Sequence, residues 1–170
     1  EGVPLTINLT ILDVAEGGSP LAGAAVYLWH CSREGAYSLY SQEAADQNYL
    51  RGVQESDAGG KLTFKTIFPG CYAGRWPHIH FEVFESAEKA VSGDDSLLVS
   101  QFALPADACK LVYEGNEAYA ASVTNLAKSR PLAEDGIFAD NTPEQVAAQT
   151  IKVTGDAAGG WKGAVTVGIA

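Results

Sequence analysis

The sequence predicts an all-β protein, a sandwich of two sheets with long loops and one or two short helices, and three observations lead there. From Leu5 to Val14 the apolar residues Leu5, Ile7, Leu9 and Ile11 alternate with Thr6, Asn8 and Thr10, the period-two signature of a strand with one buried face. Further β-branched and aromatic runs follow at Ala24–Cys31, Lys61–Ile67, His78–Phe84 and Leu97–Leu104. The 18 glycines and 7 prolines are scattered between these runs, as a chain with many turns requires.

Taken in order, the first strand ends at the turn Gly17-Gly18-Ser-Pro20. Ala24–Cys31 then puts Val26, Leu28 and His30 on one face and Tyr27, Trp29 and Cys31 on the other. A turn running at once into such a strand is the opening seen in immunoglobulin-like and transthyretin-like sandwiches. Ser32–Asn48 is polar and irregular, so Tyr37, just after Gly35, belongs to a long loop. Tyr49–Gln54 and Lys61–Ile67 read as a hairpin about Ser56-Asp57-Ala58-Gly59-Gly60. Glu85–Ser96 reads as a surface loop, Pro105–Tyr113 as a short helix with proline in its first turn, and Ala118–Ala127 as a further turn or two. Glu144–Thr154 and Trp161–Ile169 are expected to close the fold as a hairpin about residues 155–160.

A chain of 170 residues with 46% hydrophobic content fills one core, so residues 1–170 read as a single domain. The formal net charge of -10 repels phosphate backbones and anionic lipid, and no apolar run approaches the ~20 residues of a membrane span. Nucleic acid and membrane are therefore not expected partners, and a small neutral or weakly charged molecule is the easier guest. The absence of methionine, even at position 1, is expected of a chain processed or cut from something longer, a mature secreted protein or a fragment. Asn8-Leu-Thr10 matches the N-glycosylation pattern, a short match that is common by chance.

The stretch from Phe68 to Phe81 carries the chemistry. His78 and His80 stand two apart in a strand, which puts both imidazoles on one face and sends Ile79 and Phe81 to the other, a sheet's way of presenting a metal clamp. Pro69-Gly70 and Ala73-Gly74 interrupt the pattern around Tyr72, a loop that turns Tyr72 and Arg75 toward the same place. Glu82 shares a face with His80 and could complete a two-histidine, one-carboxylate Fe(II) site, although a solvated place at the strand end suits it as well. Three histidines in total are too few for the copper–zinc centre of a superoxide dismutase, which also uses a His-x-His strand.

Set side by side, Trp29-His30, Gly35-Ala-Tyr37-Ser38, Asn48-Tyr-Leu-Arg-Gly52, Thr66-Ile-Phe-Pro-Gly70-Cys-Tyr72 and Gly74-Arg75-Trp-Pro-His78-Ile-His80-Phe81 resemble the intradiol ring-cleavage dioxygenases, in order and spacing, over roughly residues 20–104. The resemblance implies a non-haem Fe(III) held by Tyr37, Tyr72, His78 and His80. It also implies Arg75 and Gln101 as residues that act on the substrate, and Tyr72 as the ligand that is displaced and serves as base. Gln101 would thereby account for the polar residue in the strand Leu97–Leu104, and His30 lies outside the ligand set. The substrate class implied is a catechol, cleaved with O2 between its hydroxylated carbons to a cis,cis-muconate-type diacid. Phenolate donors suit a hard ferric ion, where imidazoles alone would suit Zn(II) or Fe(II) about as well.

The chain lacks the long helical N-terminal region of the cytoplasmic members and is similar to the short, secreted actinobacterial and fungal ones, which implies an extracellular setting and lignin-derived aromatics. Residues 105–170 carry little of the family's pattern. A carbohydrate-binding or adhesive sandwich without catalysis is the alternative. Cys31, Cys71 and Cys109 fall in no C-x-x-C spacing, and their odd count leaves at least one thiol; three free thiols are equally allowed. In a secreted protein the expected bridge is Cys71–Cys109, with Cys31 left as a buried thiol.

Overall fold

The strands fall into two sheets that share one apolar interior. The computed structural model describes residues 1–156 and 158–170. In chain order the elements are β1 (Pro4–Asp13), β2 (Ser19–Pro20), β3 (Ala25–Trp29), β4 (Arg51–Glu55), β5 (Lys61–Ile67), β6 (His78–Phe84), α1 (Ala87–Ser92), β7 (Leu98–Ala103), α2 (Ala106–Glu114), α3 (Ala120–Lys128), α4 (Pro143–Gln149), β8 (Lys152–Asp156) and β9 (Gly160–Ile169). One sheet is built on β1, which pairs antiparallel with β2 and β5 and parallel with β9, itself bordered by β8. The other runs β4-β3-β6-β7, all antiparallel.

The alternation in β1 does what its period dictates: Leu5, Ile7, Leu9 and Ile11 are all exposed by 1% or less. They meet Val26 and Leu28 of β3, Ile79, Phe81 and Val83 of β6 and Phe102 of β7 in one cluster of buried residues. Phe81 and Phe102 stack with ring centroids 4.0 Å apart. Burying one such side chain contributes about 1.5–3 kcal/mol. Because β6 spends Ile79, Phe81 and Val83 on this core, His78 and His80 are left for its opposite face.

The mostly-β, two-sheet reading holds, and the strand bounds of Lys61–Ile67 are those expected, but four points differ. β4 and β5 do not form a hairpin: β4 pairs with β3 in one sheet and β5 with β1 in the other, so the Asp57 turn crosses between layers. A turn motif specifies the reversal of the chain and not the partner of each strand. The surface loop over 85–96 contains α1, capped by the Ser86 side chain on the Lys89 N–H and ended by Gly93 with positive φ. Glu144–Thr154 is α4 followed by the start of β8, and only β8 and β9 make the closing hairpin; of its turn, residue 157 lies outside the described residues. The described helices number four α-helices rather than one or two.

The cysteines also differ: Cys31, Cys71 and Cys109 are all free and buried, so the Cys71–Cys109 bridge is not formed. Two of the thiols point at carbonyls instead, Cys31 Sγ to Gly70 O at 3.4 Å and Cys71 Sγ to Ser122 O at 3.5 Å. Burial raises the Cys31 and Cys71 thiols to about 12 and about 11, and pushes Cys109 up as well.

α2 and α3 anchor the loop that leaves β5. α2 buries Ala108, Cys109, Val112 and Tyr113 on one face. Tyr113 Oη donates to Pro69 O at 3.0 Å, and Tyr119 Oη donates to Phe68 O at 2.7 Å while accepting from Val3 N at 3.0 Å. Among the described residues no helix is long and apolar enough to cross a membrane.

Candidate metal centre

Four donor atoms converge on the outer face of β6. His78 Nε2 lies 3.1 Å from His80 Nε2, 3.3 Å from Tyr37 Oη and 3.4 Å from Tyr72 Oη. The structure thus brings together the four residues named as ligands, from β6 and two separate loops.

Each is held by a local device. The Tyr37 loop is closed by Ser41 Oγ accepting from Tyr37 N at 2.9 Å and by Arg51, which donates to Ser38 Oγ at 2.9 Å, to Ser38 O at 2.7 Å and to Tyr27 Oη. Tyr72 follows a segment pinned from α3: Ser122 Oγ accepts from Cys71 N at 3.0 Å and donates to Arg33 O at 2.8 Å, and Asn125 Nδ2 donates to Cys71 O at 2.9 Å. Gly70 is required here, since a Cβ would collide with Arg33 O and Ser122 Oγ. Gly35, at φ 93°, lets the Tyr37 loop approach the same segment; a Cβ there would meet Cys71 O.

The protonation states favour a cation. His78 Nδ1 donates to Trp76 O at 2.5 Å, which leaves the Nε2 lone pair facing the other three donors. Burial, with Arg75 nearby, lowers His78 to about 3 and His80 to about 4, so both imidazoles are neutral at pH 7. Burial pushes the phenols of Tyr37 and Tyr72 up, opposed at both by the charge of Arg75. Nothing else near the phenols ionises them, and a hard cation would do so. Donors bound to one ion at about 2 Å stand about 3 Å apart, which matches the spacing seen here. The donor set therefore fits a ferric ion.

Among the described residues no three His, Cys, Asp or Glu side chains gather where a metal could bind. Glu82 accordingly does not complete a carboxylate site with the two histidines. It lies one row along from His80, opposite Tyr27 and Val99.

Gln101 is paired with His80 across β6 and β7 and so shares its face; its Oε1 accepts from Arg75 Nη2 at 2.7 Å. Arg75 Nε donates to Asp135 Oδ2 at 2.9 Å. Asp135 was not singled out from the sequence. It lies in an irregular segment between α3 and α4, where no periodicity marks a buried residue. His30 lies outside the site, its ring hydrogen-bonded to Cys31 O and Thr66 Oγ1 at 2.8 Å each.

The sandwich thus gathers two phenols and two imidazoles around one point, a donor set that a single metal ion would suit. The family model described as Dioxygenase matches residues 1–150, and the chain belongs to the intradiol ring-cleavage dioxygenase family. It is 32% identical over 106 residues to catechol 1,2-dioxygenase 1 of Acinetobacter lwoffii, covering 51% of this chain and 33% of that protein. It is 36% identical over 55 residues to a chlorocatechol 1,2-dioxygenase of Rhodococcus opacus, covering 32% of this chain and 21% of that one. The chain thus spans a third or less of the length of these curated relatives. In structure it resembles an intradiol ring-cleavage dioxygenase from Tetranychus urticae, with a TM-score of 0.79 at 23% identity over 99% of this chain and 81% of that one. It also resembles the dioxygenase domain of a dioxygenase–carbohydrate-binding protein fusion from Streptomyces sp. SirexAA-E, with a TM-score of 0.63 at 25% identity over 99% and 80%.

Proposed function

We propose that this chain cleaves catechols between their two hydroxylated carbons, inserting both atoms of O2 to give a cis,cis-muconate-type diacid. The observation that carries the reading is the convergence of Tyr37, Tyr72, His78 and His80 on one point. Those four side chains would hold a non-haem Fe(III). Bound there, the ion supplies the Lewis acidity that ionises phenols and readies an electron-rich ring for O2.

The remaining work falls to the protein. With its phenol ionised by that ion, Tyr72 Oη would accept a proton from one catechol hydroxyl, and the charge of Arg75, which opposes the upward push of burial on Tyr72, favours that ionised form. Arg75, tied to Gln101, would stabilise the negative charge that develops on the ring. Trp29 stacks on His80 with centroids 4.8 Å apart and keeps that imidazole in place.

Catechol and O2 are the partners of this reading. Its proposed setting is extracellular, on aromatics released from lignin, as the likeness to the short, secreted members implies. The test is iron content, visible absorption and product analysis of the purified protein given catechol and labelled O2. One iron per chain, a red to burgundy colour and a muconate carrying both labels are expected. A colourless protein that keeps zinc through dialysis, or a yellow semialdehyde product, overturns the proposal.

A further inference from the structure

Asp135 is a buried carboxylate that the ring-cleavage reading does not yet use. Its side chain is 0% exposed, a costly place for a charge unless it is fully partnered. It is: Oδ2 accepts from Arg75 Nε at 2.9 Å and Trp76 N at 2.8 Å, and Oδ1 accepts from Ile137 N at 2.9 Å. Burial alone would raise its pKa, but these hydrogen bonds outweigh it and hold the carboxyl below its usual range.

The geometry of the guanidinium gives this pairing a purpose. Arginine presents five N–H groups in a rigid plane, so two well-separated contacts fix how that plane is turned. Asp135 takes the Nε edge and Gln101 takes Nη2. The N–H groups left over belong to the terminal nitrogens, and the charge they carry bears on Tyr72.

We infer that Asp135 is a positioning residue for the reaction, acting through Arg75: it turns the guanidinium so that its terminal N–H groups front the reacting catechol, and it supplies the counter-charge that keeps this cation part-buried. The inference rests on the proposed ring cleavage. Trp76 N shares the same carboxylate oxygen, two residues before His78. A purely structural Asp135 would therefore act on the histidine strand and the iron, whereas a positioning Asp135 acts on Arg75 and leaves the iron alone.

The test is a double-mutant cycle on the iron-loaded chain with catechol, using Asp135→Asn, Arg75→Ala and the pair. Asp135→Asn is expected to lower kcat by about 10- to 100-fold with iron content unchanged. In the Arg75→Ala background it is expected to change kcat by less than about twofold, because the group it acts through is gone. The same fold-loss in both backgrounds, or iron lost in step with turnover, overturns the inference. Arg75→Lys gives an answer even if Asp135→Asn does not fold, since a single ammonium cannot hold Asp135 and Gln101 and face Tyr72 as well. A loss comparable to that of Arg75→Ala is expected, and a lysine variant as active as the parent overturns the positioning role. A parent that does not turn over catechol overturns the ring-cleavage reading and the inference with it; an active parent with independent losses overturns the inference alone.

Discussion

The indole of Trp29 lies flat on the imidazole of His80, their planes 7° from parallel, in neighbouring strands whose register sets the two residues directly opposite one another. Tyr27 continues the stack on the far side of Trp29, with centroids 5.0 Å apart. The histidine thus has an aromatic wall on one side and donor atoms at its tip.

Trp29→Ala removes that wall. It is expected to weaken iron binding by about 10- to 100-fold, as the loss of a group that orients a ligand does, while Trp29→Phe retains more of it. Competition with a chelator measures both. Unchanged affinity in the alanine variant would mean that the strand alone orients His80.

Gly70→Ala forces a Cβ against Arg33 O, a backbone atom, and Ser122 Oγ, which its bonds to Cys71 N and Arg33 O hold in place. Overpacking of this kind costs about 1–3 kcal/mol, and here the strain falls on the segment that delivers Tyr72. Urea unfolding should show the lost stability, and metal analysis a lower iron content.

The stability of the protein should fall in mild acid. Burial lowers His30 to about 4 from the ordinary 6.5, so between those values the unfolded chain takes up a proton that the folded one refuses. The contribution is complete above pH 6.5 and is lost progressively toward pH 4, amounting to on the order of 3 kcal/mol. Replacing His30 by Gln should make this part of the curve of unfolding free energy against pH shallower, leaving the share of His78 and His80, which burial also lowers. An equally steep curve would show that His30 is not its source.

The three thiols should be silent in the folded protein. All are buried with raised pKa values, so a thiol reagent is expected to find none before denaturation and three per chain after it. Recovery of a single thiol on unfolding would restore the Cys71–Cys109 bridge.

What could be read from the sequence was local or periodic. The alternation in β1 and the two-residue spacing of His78 and His80 follow from strand geometry alone, so both faces were legible. His78 and His80 could be singled out by their spacing, but Tyr37 joined them only through the ordered family motif, because nothing in its own stretch of sequence says that its loop folds back on His78. Asp135 was out of reach for a related reason: its partner is a guanidinium far along the chain, and its own segment has no pattern. α4 was missed although its signal was present, as Thr142-Pro143 with Gln145 is a capping box that the structure forms in full. The strand reading of Glu144–Thr154 overrode it. The partners of β4 and β5 were not legible, since sheet membership is decided by packing across the core.

The parallel pairing of β1 with β9 also bears on how the molecule is made. β1 is synthesised well before β9, yet they run side by side from Leu5 opposite Trp161 to Asp13 opposite Ile169. Until β9 leaves the ribosome, one edge of a strongly apolar strand has no neighbour and its side chains have only part of their cover. Contacts of such long sequence separation form slowly, so the nascent chain is at its most adhesive in the interval before β9 is made. A host that shields β1 during that interval would recover more folded protein than one that does not.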